Sequence, residues 1–191
     1  MTEPGPRPGA SRGRRSELEV LRVLYTWNSQ LRKRYLETLL RLPPEERLRD
    51  RGASYPSLQE VYVHVLEALR FWLVAVPQDR VSGLEELRGR DLDPEALRAL
   101  EQEIDRQVLA YVGGLRESDL ENPLRCHETT PEGVVEHRFP VTDVLWHMVE
   151  EELQHRGELN ALLWQMDVEP PLGKVEDWHR AELEAGGPKG G

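Results

Sequence analysis

Apolar positions recur at helical spacing in four stretches of the chain, and each stretch is bounded by polar caps, prolines or glycines. The segments "SELE" at Ser16 and "SLQE" at Ser57 are typical of capping boxes, which start helices. The pattern predicts helices over residues 16–42, 57–76, 93–114 and 142–166. Since four long helices can bury their apolar faces against one another, the fold class expected is all-α, a four-helix bundle.

The pattern changes between the third and fourth predicted helices. In "CHETTPEGVVEHRF", a Pro-Glu-Gly segment separates two short runs that contain threonines and valines. Such runs on either side of a turn indicate a hairpin. We therefore expect a long loop or a short hairpin between Gly114 and Pro140.

The two ends of the chain have little to bury. Residues 1–15 are rich in proline, glycine and arginine, which predicts a disordered N-terminal arm. Residues 16–167 form the predicted domain. Residues 168–191 are expected to be a tail, partly docked through Val175, Trp178 and Leu183.

Composition narrows the class of protein. A net charge of −10 disfavours a grip on nucleic acid phosphates, so we expect no nucleic acid partner. The single cysteine, Cys126, excludes an intramolecular disulfide and favours a reducing compartment. No apolar run approaches the roughly 18 residues of a membrane span. These observations predict a cytoplasmic protein without a membrane partner.

The fourth predicted helix carries the candidate chemistry in "HMVEEELQHRGELN", residues 147–160. At about 100° per residue, His155 lies near the direction of the apolar stripe, Glu151 lies at its edge, and His147 lies farther round. Glu152 is also near the apolar face, so periodicity does not decide which glutamate turns inward. A buried carboxylate without a partner would cost several kcal/mol.

A divalent cation would remove that cost. Side chains at positions i and i+4 of a helix can reach one metal ion, and His64, at the margin of the buried face of the second helix, supplies a third ligand. His64, Glu151 and His155 then form a two-histidine, one-carboxylate set with open positions, as in catalytic zinc and non-haem iron sites. The alternative is a set of core histidines bonded to a backbone carbonyl or a glutamate.

From about Ser16 to Trp178 the chain resembles the DinB superfamily of DinB/YfiT-like metalloenzymes. The resemblance rests on the histidine in "SLQEVYVHVLEAL", on "HRGELN" in the last helix, and on a histidine eight residues earlier in "LWHMVEEELQHRGE". It implies a four-helix bundle, often dimeric, with a divalent metal bound by His64, residue 151 and His155. This chain departs from the family pattern because residue 151 is glutamate rather than histidine.

That departure leaves three alternatives. Glu151 can remain a ligand, which would favour Mn²⁺ or Fe²⁺ over Zn²⁺ or Ni²⁺ because a carboxylate is harder than an imidazole. His147 can replace it as a ligand, or the site can be lost. We favour Glu151, which lies nearer the core direction.

The resemblance also implies an activity, since members of the superfamily include transferases and isomerases that use thiols such as bacillithiol or mycothiol. We expect a metal-activated thiol or water molecule, in a thiol S-transferase or, second, a hydrolase acting on a small molecule. Arg156 and Glu158 would support the ligands or form an exposed pair. Cys126 and His127 are adjacent on a loop and are not expected to form a nucleophile and base. The alternative function is a non-catalytic dimeric bundle with a structural or ligand-binding site.

A homodimer is expected, and Trp146 is the candidate for the subunit contact because it points away from the core direction.

Overall fold

The computed structural model describes residues 15–82, 84–90 and 92–186, where the chain is mostly helical. The helices are α1 (Glu17–Leu40), α2 (Pro44–Arg47), α3 (Leu58–Arg70), α4 (Pro94–Gly114), α5 (Val141–Trp164) and α6 (Val175–Glu184). Two strands, β1 (Pro123–Thr130) and β2 (Gly133–Pro140), lie between α4 and α5. The four long helices predicted from the sequence are therefore α1, α3, α4 and α5. Apart from residue 15, the predicted N-terminal arm lies outside the described residues.

Polar caps start α1 and α3 where the sequence places them. Ser16 Oγ accepts a hydrogen bond from the N–H of Glu19 at 3.2 Å, and the Glu19 carboxylate accepts one from the N–H of Ser16 at 2.9 Å. This capping box is confirmed. Ser57 caps α3 by accepting from the N–H of Glu60, but the Glu60 carboxylate accepts from the N–H of Gly89 at 3.1 Å instead of reaching back. The second capping box is therefore one-sided, because Glu60 makes a tertiary contact.

The core lies between the long helices. Helices α1 and α3 each contact both α4 and α5. Two buried tyrosines form hydrogen bonds between helices. The Tyr25 hydroxyl donates to the carbonyl of Leu145 in α5 at 2.8 Å, and the Tyr62 hydroxyl donates to the carbonyl of Arg32 in α1 at 3.3 Å. Because buried hydroxyl groups need partners, these bonds help to fix the relative positions of the helices. None of the described helices is both long and apolar enough to cross a membrane.

The second predicted helix changes geometry towards its end. After Arg70 it continues as a π-helix, Phe71–Ala75, and then as a 3₁₀ turn, Val76–Gln78. Short π-helical turns are rare and often occur at functional sites. The altered turn places Trp72 against Phe139 of β2, with ring centroids 5.7 Å apart.

The predicted hairpin is present. Strands β1 and β2 pair antiparallel from Pro123↔Pro140 to Thr130↔Gly133. Gly133 has a φ of +135°, which side-chain-bearing residues rarely adopt. The tip of β2 is exposed, whereas the pair Leu124 and Phe139 packs against the core at the base of the hairpin.

The C-terminal segment is more ordered than the tail predicted from the sequence. Helix α6 packs against α1: Trp178 contacts Trp27 edge to face at 5.7 Å, and the Asp177 carboxylate accepts two hydrogen bonds from Arg34 at 2.7 and 2.8 Å. Of the three residues expected to dock, only Trp178 does so. Val175 and Leu183 are 84% and 60% exposed because the helix turns them away from α1.

Candidate metal centre

The predicted ligands meet where α3 and α5 face each other. His64 comes from the middle of α3, while Glu151 and His155 lie one turn apart on α5. Glu151 Oε1 is 2.6 Å from His64 Nε2 and 3.2 Å from His155 Nε2. The three candidate ligand atoms lie within 4.8 Å of one another.

A second glutamate fixes the ring of His155. Glu158 Oε2 lies 2.9 Å from His155 Nδ1, and the same carboxylate accepts hydrogen bonds from the N–H and the hydroxyl of Ser54 at 2.7 and 2.6 Å. Burial alone would raise the pKa of Glu158, but the hydrogen bonds from Ser54 and His155 outweigh it and lower that pKa. An ionised carboxylate only accepts, so Nδ1 of His155 carries a proton.

This tautomer decides what the cluster can hold. A neutral His155 with its proton on Nδ1 presents a lone pair on Nε2, which faces Glu151 Oε1. The same oxygen also faces Nε2 of His64. Two lone pairs at this distance repel unless a proton or a cation lies between them. The donor set, two imidazole nitrogens and one carboxylate oxygen, fits a divalent ion such as Zn²⁺, Ni²⁺, Mn²⁺ or Fe²⁺.

The loop before α3 covers His64. Tyr55 stacks on the His64 ring with centroids 4.1 Å apart. The guanidinium of Arg88 lies over the Tyr55 ring, 5.3 Å from its centre. Burial lowers the pKa of His64, although its contact with Glu151 acts in the opposite direction. The neutral imidazole, which is the form that binds metals, is thereby favoured.

An open cleft adjoins the cluster. It has a volume of about 340 Å³, and His64 and Glu151 form part of its wall together with Arg88 and His147. The cluster therefore lies at a surface that a small molecule can reach. His155, whose side chain is 4% exposed, forms the buried end of the site.

Glu152 belongs to a different cluster. Its carboxylate is 2.6 Å from the Arg32 guanidinium, which also contacts Asp105 at 2.6 Å, and all three residues are buried. Periodicity alone left Glu151 and Glu152 as alternatives, and in the structure they turn inward to different neighbours. Glu151 faces α3, whereas Glu152 faces α1.

The remaining candidates lie at different distances from the cluster. Glu158 contacts His155 directly. Arg156 lies on another face of α5, where it donates to Asn28 at 3.1 Å and covers the Trp27 ring, because one residue along a helix turns the side chain by about 100°. The side chain of His147 is 54% exposed, with Glu150 at 3.9 Å.

Cys126 lies in β1, away from these helices. Burial raises the pKa of its thiol, which disfavours the reactive thiolate. This agrees with the expectation that Cys126 and His127 do not form a nucleophile and base.

Sequence reasoning missed three residues around the site: Ser54, Tyr55 and Arg88. All three lie outside the regular helices, in segments that precede or follow α3. No local pattern distinguishes them, because their roles depend on the loops folding back over α3 and α5. Their hydrogen bonds and ring contacts support His64 and His155 from the outside.

The fold and the site define a class of protein: it is mostly helical and has a two-histidine, one-carboxylate candidate metal site between two of its long helices. The model of the DinB family matches residues 16–186, and the chain belongs to this family. A search of curated proteins found no match to this chain. The resemblance identified from the sequence is thus confirmed.

Proposed function

We propose that this protein is a divalent-metal-dependent enzyme whose ion is bound by His64, Glu151 and His155. The observation that carries the proposal is the approach of both imidazole Nε2 atoms to the same oxygen of Glu151, beside an open cleft. A buried structural site would instead be closed on all sides. Glu158 supports the site by fixing the tautomer of His155, as partners of metal-binding histidines commonly do.

The reaction proposed is thiol S-transfer with a low-molecular-weight thiol, with hydrolysis as the second choice. A bound divalent ion would lower the pKa of a thiol or water molecule, and the deprotonated thiol or water would be the nucleophile at neutral pH. The chain's own residues orient the site: Glu158 holds His155, and Tyr55 holds His64 by stacking. Family membership supports thiol transfer over hydrolysis, and the single cysteine supports a cytoplasmic location.

Metal content is the first test. Elemental mass spectrometry of the purified wild type is expected to give close to one ion per chain, and His64→Ala and Glu151→Gln should each lose most of it. His147→Ala is the matched control, since it removes an exposed histidine from the same helix. Retention of metal by all three variants would refute the site. Loss in His147→Ala with retention in Glu151→Gln would make His147 the third ligand.

The metal's identity has a test of its own. Glu151 brings a negative charge and a hard oxygen ligand, so we propose Mn²⁺ or Fe²⁺ as the preferred ion. Glu151→His should shift the relative affinity towards Zn²⁺ and Ni²⁺, measured by competition between pairs of metals. An unchanged preference order would show that Glu151 does not select the ion.

A non-catalytic role is the second candidate. The observation that favours it is the bridge from Ser54 through Glu158 to His155, which joins the loop before α3 to α5 as a structural site would. His155→Ala separates the two functions. Loss of thiol transfer with a nearly unchanged melting temperature supports the enzyme. A large drop in melting temperature, with no reaction found for the wild type, supports the structural role.

The contacts of α1 and α3 with both α4 and α5 support the four-helix bundle expected from the sequence.

We also propose a homodimer through the outward face of α5. Trp146, Leu153 and Trp164 are 41%, 48% and 52% exposed there, and with Gly157 they lie within about 20° of one helix direction. Their positions are symmetric about residue 155, so antiparallel α5 helices would pair Trp146 with Trp164 and Leu153 with Gly157, as a two-fold interface requires.

Light scattering after gel filtration tests the dimer. The wild type is expected at twice the chain mass of 22.1 kDa, and Leu153→Arg should give a monomer. Leu48→Arg, at a similarly exposed leucine outside α5, should remain dimeric. A monomeric wild type at micromolar concentration would refute this interface.

A further inference from the structure

A second pocket lies beside the cleft of the candidate metal centre. This pocket has a volume of about 250 Å³ and is lined by Trp72, Phe139, Asp143, Val144 and His147. We call it the aromatic pocket. Trp72 and His147 also line the cleft that contains His64 and Glu151, so the two spaces share a wall.

Two helical ridges define the path between them. On α5, Asp143, His147 and Glu151 follow one another at intervals of four residues. On the opposite wall, His64, Ala68 and Trp72 also follow one another at intervals of four residues. Four residues of α-helix rise about 6 Å, so the path from Glu151 to the level of Asp143 is roughly 12 Å long. A distance of this size is within the reach of a single small molecule.

Aromatic rings that contact one another form the wall of the aromatic pocket. The π-helical turn at Phe71–Ala75 carries Trp72, whose ring meets Phe71 edge to face at 5.0 Å and Phe139 at 5.7 Å. His137 stacks on the Phe139 ring with centroids 6.0 Å apart. Val144, which is 4% exposed, completes the apolar surface. The edge-to-face contacts of Trp72 and the stack on Phe139 position rings that offer carbon surface to a ligand.

We propose that the substrate of the metal centre carries an apolar group about the size of a benzene ring, and that this group lies in the aromatic pocket while the polar, reacting end of the molecule reaches Glu151 and His64. The inference rests on the function proposed above. An engineered cavity of about 150 Å³ holds benzene, so the aromatic pocket has room for a ring and part of its linker. A charged group would lose hydration against Trp72, Phe139 and Val144, and only Asp143 and His147 in the lining could interact with it.

Hydroxamates of increasing length test the path. Their polar end binds divalent ions, and a terminal phenyl group on a longer chain can reach the aromatic pocket. Calorimetric titration of the Zn²⁺-loaded full chain should show that a phenylalkyl hydroxamate of matching length binds tenfold to a hundredfold tighter than acetohydroxamate, the gain typical of burying a phenyl group. Phe139→Ala should remove most of this gain and leave the affinity for acetohydroxamate unchanged.

Two controls keep the result specific. Val134→Ala changes an apolar residue of the same strand that is 68% exposed and should keep the full gain. Phe139→Leu retains apolar surface and should lose only part of it. If acetohydroxamate binds and the phenyl group adds nothing at any length, the aromatic pocket is not a substrate subsite, and the metal centre stands without it.

A metal-free measurement separates the two proposals. In the unloaded protein, 4-phenylbutanol should receive saturation transfer at its ring protons in NMR spectra, and Phe139→Ala should abolish the signal. This outcome supports the aromatic pocket even if the protein binds no metal, which would refute the proposed function alone. Absence of saturation transfer to the wild type, together with no gain from the phenyl group, would overturn the inference.

Discussion

Replacing Glu101 with glutamine should stabilise the protein at alkaline pH, because this carboxylate is buried in an unfavourable setting. Glu101, in α4, is 1% exposed and lies 3.9 Å from Arg32. The same guanidinium already contacts Glu152 and Asp105 at 2.6 Å each. Three carboxylates thus share one buried arginine, and among the described residues Glu101 Oε1 has no hydrogen-bond partner.

The structure gives the size and sign of the effect. Burial raises the pKa of Glu101 from 4.5 to about 7, with Arg32 acting in the opposite direction. The difference of about 2.5 in pKa corresponds to a contribution of about 3 kcal/mol from this group to the free energy of unfolding. Because the folded protein binds this proton more tightly than the unfolded chain, the contribution is fully present below pH 4.5 and is lost as the pH rises through about 7.

Glu101→Gln keeps the shape of the protonated acid and removes the charge at every pH. Its stability should match that of the wild type near pH 4.5 and exceed it by up to about 3 kcal/mol at pH 8. For a chain of this size, that is a rise in melting temperature of up to about 6–12 °C.

Thermal unfolding from pH 4.5 to 8, followed by circular dichroism on both proteins, measures the difference curve. Groups common to both proteins, including the histidines of the candidate metal centre, cancel in it. Glu103→Gln, an exposed change in the same helix, should show no gain between pH 4.5 and 8. A flat difference between wild type and Glu101→Gln over this range would refute the reasoning, because it would mean that the Glu101 proton is bound equally in both states.

Three further predictions concern single side-chain contacts. Arg32→Met should lower the free energy of unfolding by about 3–5 kcal/mol in urea titrations, since it leaves buried carboxylates without their partner; a loss below about 1 kcal/mol would contradict this. Glu158→Gln should weaken metal binding about tenfold to hundredfold in competition with a chelator, and an unchanged affinity would show that Glu158 does not support the site. Gly173→Ala places a Cβ 2.6 Å from the Trp27 ring and should cost about 1–3 kcal/mol in the same titrations, whereas Gly113→Ala, in open space, should not destabilise.

The sequence by itself determined the elements whose signals are local. The cap at Ser16 and the range 93–114 predicted helix boundaries close to those observed for α1 and α4, because each boundary depends on residues within about one helical turn. Helical spacing also made Glu151 and His155 candidates for one site, and His64 was added from the margin of the buried face of another helix. Helical geometry places residues four apart on one ridge, whatever the rest of the fold does.

Helix α6 shows where local signals failed. Its inward face consists largely of Ala181, Asp177 and one tryptophan, so it has no continuous apolar stripe for a pattern to reveal. It is stabilised by Arg34 and Trp27, which lie about 150 residues earlier in the chain and become neighbours only after folding.

Only the tertiary structure decided between Glu151 and Glu152. A helix fixes the angle of about 100° between two consecutive side chains but not what each one meets. Glu152 faces the buried Arg32 of α1, and Glu151 faces His64 of α3, so their roles depend on which helices pack on either side of α5. The sequence sets the type of each side chain, whereas its partner, its charge state and its chemistry are set by packing.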